Sequence, residues 1–177
     1  KLYMKHFLIV VDMQRDFIDG SLGTPEAQAI VPHVAEKILR FDGEIFATLD
    51  THAENYLQTA EGRHLPVPHC IKGTLGWMLQ DEIAAALEQK QCTLVEKVTF
   101  GSVMLPRLLY QAAQGQPFTL ELVGLCTDIC VVSNALMLKA NFPEMPICVD
   151  SACCAGVTPE THRTALETMR CCQIEVI

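Results

Sequence analysis

The chain has 177 residues, of which half are hydrophobic and 19% are charged, and this composition is typical of a globular protein with a substantial core. A formal net charge of −8 argues against nucleic acid or an anionic membrane as a partner, and no apolar run approaches the ~20 residues of a membrane span. The cysteine count of nine is odd and several cysteines lie in apolar runs, which argues against a disulfide framework and favours a reduced, cytoplasmic setting.

Short apolar runs alternate with longer amphipathic stretches along the chain. In order, the patterns predict strand 7–12, helix 24–40, strand 46–50, helix 75–90, strand 92–97, helix 103–114, strand 118–124, helix 127–140, strand 146–150, helix 158–170 and strand 173–177. The segment 51–73 is predicted to be a long irregular loop. Near-continuous apolar strands joined by helices predict one domain over residues 1–177, a three-layer α/β/α doubly wound sheet that is mostly parallel with about six strands.

The predicted helices begin at recognisable start signals. Two of them open with a hydroxyl, a proline and an acid, in Thr24-Pro25-Glu26 and in Thr158-Pro159-Glu160. The other predicted N-caps are Thr74, Ser102, and either Thr127 or Asp128.

Chemically active side chains follow four of the predicted strands. Asp12 ends the first strand, Asp50 ends the second with His52 just beyond it, and Lys97 ends the third. Cys130 lies in the first turn of the helix after the fourth strand. Ligands bind outside the carboxyl ends of parallel strands, so this clustering predicts a site there. A buried Asp12 and a buried Lys97 would each be costly alone, and each could neutralise the other.

Cys130, in the stretch "GLCTDICV", is the best candidate for a nucleophile. A helix N-terminus and a nearby Lys97 would both lower the pKa of its thiol. The alternative is a small core residue. Cys126 is expected to point into the packing, and a redox pair of Cys126 with Cys130 is a further alternative, although the spacing is not C-x-x-C.

A second group of side chains has the character of a metal site. Asp50, His52 and His69 combine one carboxylate with two imidazoles, which suits Zn²⁺, Mn²⁺ or Fe²⁺. Glu61 or Glu54 could be a fourth ligand. We expect one divalent metal ion, with zinc as the first choice.

Taken together, these motifs resemble the isochorismatase-like cysteine hydrolases and, within them, the nicotinamidase-related amidases. The resemblance covers essentially the whole chain and is carried, in the order typical of the family, by the segments "LIVVDMQRDF", "LDTH", "PHCIKGT", "VEKVTF" and "GLCTDICV".

The resemblance implies a catalytic triad of Asp12, Lys97 and Cys130. It also implies a cis peptide bond between Leu125 and Cys126, with an oxyanion hole made by the backbone N–H groups of Cys126 and Cys130. Among the carboxylates it favours Glu61 as the fourth metal ligand. The implied reaction is hydrolysis of a small, uncharged primary amide such as nicotinamide to the acid and ammonia through a thioester.

The walls of the expected pocket differ in part from those of nicotinamidases. Phe17 matches one wall that binds the substrate ring, but Leu65 and its neighbours "LPV" stand where that branch usually has a tryptophan. Trp77 lies too far along the chain to be assigned the role of that tryptophan. His162 is expected at the surface. Alternatives are a carbamoyl- or ureido-type amide as substrate, or a non-catalytic protein that binds metal or thiols; a homo-oligomer is left open.

Overall fold

Six parallel strands form one sheet in the computed structural model of the chain, which describes residues 3–177. The strands are β1 (Lys5–Val11), β2 (Glu44–Asp50), β3 (Thr93–Lys97), β4 (Phe118–Leu125), β5 (Ile147–Ala155) and β6 (Glu175–Val176). Their order across the sheet is β3-β2-β1-β4-β5-β6, and each neighbouring pair is parallel. The predicted doubly wound α/β fold is confirmed.

Within the described residues, seven α-helices connect and cover these strands. They are α1 (Arg15–Ile18), α2 (Pro25–Arg40), α3 (Ala60–His64), α4 (Asp81–Lys90), α5 (Leu105–Ala113), α6 (Val132–Asn141) and α7 (Pro159–Cys171). Short 3-10 turns lie at Tyr56–Gln58 and Leu75–Trp77, and a π-turn lies at Thr127–Val131. The segment 51–73, predicted to be irregular, therefore contains one 3-10 turn and α3. Among residues 3–177, none of the helices has the length and apolar character needed to span a membrane.

The core is divided by the sheet into two apolar layers. Alternate residues of β1 point to opposite faces, so that Phe7 and Ile9 belong to one layer while Leu8 and Val10 belong to the other. The first layer is closed by α5, α6 and α7, and the second by α2 and α4. Burial on both faces explains why the central strands read as continuous apolar runs.

Most of the predicted N-caps are confirmed. Side chains accept from the third N–H of a helix or turn at Thr24, Thr74 and Thr158. Ser102 is not an N-cap, because α5 begins two residues later than predicted with Met104 at the cap position, although the Ser102 hydroxyl accepts from the N–H of Leu105. The prediction that Thr127 or Asp128 caps a helix is wrong, because no side chain caps the π-turn or α6. Thr127 instead binds His162 in α7, and Asp128 binds Val157 in the segment between β5 and α7.

β4 lies very close to β1 at Gly124, near the end of the strand. Gly124 has φ of +119°, and a Cβ at this position would lie 2.2 Å from the carbonyl oxygen of Val11 in β1. The pairing of β4 with β5 shifts register at the same place. Only glycine combines this backbone conformation with so close an approach of two strands.

Candidate active site

The structure brings together the side chains that the strand ends predict. Asp12 follows β1, Asp50 ends β2, Lys97 ends β3, and Cys130 lies in the π-turn that follows β4. Because the chain runs from β1 to β2 on one side and from β4 to β5 on the other, β1 and β4 mark the point where the direction of winding reverses. Such a point leaves a crevice at the carboxyl edge of the sheet.

An ammonium, a carboxylate and a thiol lie in contact in this crevice. The Nζ atom of Lys97 is 2.7 Å from Oδ2 of Asp12 and 3.4 Å from Sγ of Cys130. All three residues are buried, with 4%, 0% and 5% of their surface exposed, respectively. The Thr48 hydroxyl donates to Oδ1 of Asp12 at 2.7 Å, and Lys97 donates to the Thr99 carbonyl at 3.0 Å. Asp12 thus has one oxygen held by a hydroxyl and the other against the ammonium.

The protonation of this cluster differs from what the sequence suggests. Burial raises the pKa of Cys130 well above its usual value, the charge of Asp12 raises it further, and Lys97 opposes both. Burial likewise raises the pKa of Asp12 despite the charge of Lys97, whose own pKa is raised because the carboxylates and the thiol outweigh burial. The expectation of a lowered pKa at Cys130 is therefore wrong. One ammonium faces two acids, and the buried cluster favours a single negative charge.

The π-turn that carries Cys130 is held from outside by α7 and by the segment that leads into it. The peptide bond between Leu125 and Cys126 is cis, as the resemblance implied. Thr127 Oγ1 and His162 Nδ1 are hydrogen-bonded at 2.7 Å, and the Asp128 carboxylate accepts from the N–H of Val157 at 3.2 Å. His162 was expected at the surface but is half-buried, since its ring packs against this turn.

A second cluster adjoins the first. The ligand atoms of four side chains lie within 4.8 Å of one another, those of Asp50, His52, Glu61 and His69. Nε2 of His52 is 2.9 Å from Oδ2 of Asp50 and 3.7 Å from Oε1 of Glu61. Nε2 of His69 is 3.5 Å from each of the same two oxygens. Four ligands at the bond lengths of a tetrahedral zinc ion would be about 3.3–3.6 Å apart, so these residues fit a metal ion of that size.

The histidines are oriented for metal binding by their surroundings. His69 Nδ1 lies 2.8 Å from the carbonyl oxygen of Val67, which can only accept, so Nδ1 carries a proton and Nε2 faces the carboxylates. Burial lowers the pKa of His69, but the hydrogen bonds that the ring donates to the Asp50 and Glu61 carboxylates outweigh burial and raise the pKa to about 10. This cluster therefore attracts positive charge strongly. The Tyr56 ring packs edge-on against His52 and His69.

Asp50 connects the two clusters. Its Oδ2 faces the histidines, and its Oδ1 lies 3.5 Å from the Lys97 ammonium. Burial raises the pKa of Asp50, but hydrogen bonds from His52 and His69 and the charge of Lys97 outweigh burial and lower the pKa below its usual range. Asp50 is thus ionised across the neutral pH range.

Both clusters open into a cavity of about 220 Å³ with largely apolar walls. Its lining residues are Phe17, Leu22, Thr24, Asp50, Glu61, Leu65, His69, Phe100, Cys126, Ile129, Cys130 and Val157. Phe17 and Leu65 therefore lie where the sequence places the walls. Cys126 was expected to point into the packing but reaches the cavity, while Trp77 lines a different depression and donates from Nε1 to the Thr51 hydroxyl. Glu54 is exposed, and the cluster that could hold a metal ion contains Glu61 instead.

Sequence reasoning missed several buried polar residues that hold this site. Gln14, which is fully buried, accepts from the N–H of Asp50 and donates to the Asp50 and Trp77 carbonyls, each at 2.8 Å. Thr48, also fully buried, holds Asp12. The signal available was a polar residue inside or beside a buried run, in "VVDMQ" and "FATLD".

These features define a parallel α/β protein with a thiol, an ammonium and a candidate metal site in one cavity. The family model described as Isochorismatase domain matches residues 6–177, so the chain belongs to the isochorismatase domain family. The isochorismatase family protein PncA of Bacillus subtilis is 31% identical, over 92% of this chain and 93% of its own length. The nicotinamidase/pyrazinamidase of Mycobacterium tuberculosis is 28% identical, over 96% of this chain and 97% of its own. Among solved structures, the pyrazinamidase of Pyrococcus horikoshii in complex with zinc has a TM-score of 0.80 and 28% identity, covering 98% of both chains.

Proposed function

We propose that this chain is a metal-containing cysteine amidohydrolase that cleaves the C–N bond of a small primary amide, with nicotinamide as the first candidate. The observation that carries the proposal is the position of Cys130, whose sulfur lies 3.4 Å from the Lys97 ammonium inside the cavity that the metal cluster adjoins. The names of the relatives support this reaction, since two of them are called nicotinamidase or pyrazinamidase.

Proton transfer from Cys130 to Asp12 begins the reaction. The raised pKa values of both acids mean that one proton is shared between them, and Lys97 stabilises whichever partner is charged. The thiolate is thus formed when the substrate is in place, and its sulfur attacks the amide carbon. In this scheme Asp12 is the general base and Lys97 stabilises the charge.

The tetrahedral intermediate then collapses to a thioester. The backbone N–H groups of Cys126 and Cys130 are proposed to bind the oxyanion. Protonated Asp12 gives its proton to the departing nitrogen, which leaves as ammonia. Water attacks the thioester, Asp12 accepts a proton from that water, and the acid leaves as the Cys130 thiol is restored.

Asp50, His52, Glu61 and His69 would hold the metal ion, for which zinc is the first choice and manganese or iron the alternatives. A divalent ion held there would supply a Lewis acid for a ring nitrogen of the substrate. The adjoining cavity is lined by Asp50 and Glu61, and no lysine or arginine within residues 3–177 is among its lining residues. Such a cavity, with largely apolar walls, favours an uncharged substrate, because a carboxylate on the substrate would lose its hydration there without a side chain of opposite charge to replace it.

The proposal is tested by measuring ammonia release from nicotinamide, pyrazinamide, benzamide and a branched aliphatic amide, with and without added Zn²⁺, Mn²⁺ and Fe²⁺. Cys130→Ala should lower kcat by at least about 10³-fold, as expected for a lost nucleophile. Cys126→Ala should remain active because its proposed role belongs to its backbone, and Cys171→Ser, at an exposed position, is the matched control. Activity retained in Cys130→Ala, or no ammonia from any of the four amides with the correct metal, would refute the proposal.

The metal ligands are tested separately from turnover. Wild-type protein should bind one divalent ion per chain, and the double variant Asp50→Ala/His52→Ala should bind none by elemental analysis. Glu61→Gln should weaken binding, whereas Glu54→Gln, at an exposed position, should not. Full metal occupancy in the double variant would exclude this site.

A further inference from the structure

Asn134, in α6, is a polar side chain with only 1% of its surface exposed. Its amide nitrogen donates to the carbonyl of Phe100 at 3.1 Å and to that of Cys130 at 2.8 Å. Its amide oxygen accepts from the N–H of Ser102 at 2.9 Å. Both donor hydrogens and the acceptor are therefore in use, and they join two separate stretches of chain.

One of these stretches is segment 98–104, which links β3 to α5 without regular secondary structure. Part of it packs poorly, since Val98 is 79% exposed and Val103 is 75% exposed. The same segment nevertheless supplies the Thr99 carbonyl that accepts from Lys97, and Phe100, which is one of the residues that line the cavity. Few apolar contacts hold such a segment in place, so its hydrogen bonds decide where it lies.

We propose that Asn134 is a positioning residue that sets the substrate range of the cavity by tying segment 98–104 to the turn that carries Cys130. The proposal rests on the proposed amidohydrolase function. When the hydrogen bonds of Asn134 are intact, Phe100 lies close to Cys130 and excludes bulky amides from the cavity. Without them, segment 98–104 moves away from α6, the cavity widens, and small planar amides lose a wall.

Two substitutions at Asn134 remove hydrogen bonds to segment 98–104 or to Cys130 while they keep a polar side chain of similar size. Asn134→Asp has the same shape and keeps an acceptor for Ser102, but its carboxylate faces the two carbonyls that the amide nitrogen served. Asn134→Thr keeps a hydroxyl that can donate to the carbonyl four residues back, that of Cys130, and has no donor for Phe100.

A matched control lies in the same helix. Asn141 donates from its amide nitrogen to the Met137 carbonyl at 2.9 Å, also four residues back, but at an exposed position. Asn141→Asp makes the same chemical change without touching segment 98–104. Phe100→Ala removes the side chain of this cavity wall directly. Because 42% of the surface of Phe100 is exposed, the variant should still fold.

The main readout does not require amide turnover. Rates of alkylation at Cys130 are measured with iodoacetamide and with the bulkier N-ethylmaleimide, and their ratio reports the width of the cavity. In Asn134→Asp and Asn134→Thr, the ratio should shift toward the bulky reagent by about fivefold to tenfold, the worth of roughly one hydrogen bond. Phe100→Ala should show the same shift, and Asn134→Asp should add nothing in that background.

Steady-state kinetics give the second readout. For nicotinamide, KM should rise more than kcat falls in the Asn134 variants, and kcat/KM for the branched aliphatic amide should rise relative to that for nicotinamide. Asn141→Asp should match wild type in both experiments.

An unchanged reagent ratio in folded Asn134 variants would overturn the proposal, as would an equal fall in kcat for every amide with no change in that ratio. If Asn134→Asp does not fold, a shift shared by Asn134→Thr and Phe100→Ala supports the proposal, and a shift confined to Phe100→Ala overturns it. Wild-type protein that alkylates at Cys130 but releases no ammonia would refute the amidohydrolase function alone, and the reagent ratio would still decide the role of Asn134.

Discussion

Lys97→Met removes the single ammonium on which the charges of the buried cluster depend. Nζ lies 2.7 Å from Oδ2 of Asp12, and the two side chains are 1% and 0% exposed. Removing one partner of such a pair costs about 3–5 kcal/mol when the other stays charged. Asp12 can avoid part of this cost by taking up a proton, because burial already raises its pKa. The loss of stability should therefore depend on pH.

The sign and size of this dependence follow from proton linkage. In the unfolded chain Asp12 has its ordinary pKa of 3.8, whereas in the folded variant it keeps a proton to higher pH. Stability therefore falls as pH rises from this value through the raised pKa, by about 1.4 kcal/mol per pH unit. Keeping Asp12 protonated in the folded variant at pH 7, when it is ionised in the unfolded chain, lowers the free energy of unfolding by at most about 4 kcal/mol. Since its pKa is raised in wild type too, we expect a difference between the two proteins of about 2–4 kcal/mol at pH 7, nearly absent near pH 4.

The measurement is urea unfolding followed by circular dichroism over this pH range, with equal metal content in both proteins. The control pair is Asp12→Asn against Asp12→Asn/Lys97→Met, in which position 12 no longer titrates. Asp50 is still 3.5 Å from Lys97, but its pKa lies below the usual range, so the difference should not vary between about pH 5 and about pH 8. Equal losses for Lys97→Met at about pH 5 and about pH 8 would show that Asp12 does not titrate against Lys97 in the folded protein.

Three further outcomes are expected. Lys37→Met should lower the free energy of unfolding by about 1–3 kcal/mol, because Lys37 pairs with both Glu121 and Asp150, which are mostly buried. No measurable loss of stability would show that these two carboxylates do not depend on the Lys37 ammonium. Gly124→Ala should lower the free energy of unfolding by about 2–5 kcal/mol, because its Cβ would meet a β1 carbonyl. Gly115→Ala, at φ of +75° in open space, should lower it by only about 1–2 kcal/mol. Equal losses for the two variants in urea unfolding would contradict the close approach of β4 and β1 at Gly124. Removing the metal with a chelator should abolish any preference for nicotinamide over benzamide in kcat/KM, and a preference that survives would exclude binding of the ring nitrogen.

Sequence patterns predicted the sheet because its central strands are buried on both faces, which produces unmistakable apolar runs. They predicted less where structure depends on distant contacts. β5 was expected to end at Asp150 but continues to Ala155, since after a register shift its residues pair again with Gly124 and Leu125. β6 was expected over 173–177 but pairs only at Glu175–Val176, as an edge strand with one neighbour.

The candidate site shows the same division. Strand ends placed Asp12, Asp50, Lys97 and Cys130 at one edge, because parallel strands bring their carboxyl ends together. The protonation of the cluster could not be predicted, since the pKa of a thiol beside a lysine depends on how deeply both are buried and on the third charge nearby. The partners of the π-turn were also hidden, because His162 is far along the chain and its burial follows from the packing of α7.

The two clusters share one ammonium, and this couples the proposed metal to the reactivity of the thiol. Lys97 lies 2.7 Å from Asp12 and 3.5 Å from Asp50, so its charge is divided between the two carboxylates. The charge of Asp50 also raises the pKa of Cys130. A divalent ion bound by Asp50 would neutralise that carboxylate and leave the ammonium to Asp12 and Cys130. We therefore expect the proposed metal ligands to act on Cys130 through charge, so that loading the metal should speed alkylation of Cys130 without changing that of an exposed cysteine.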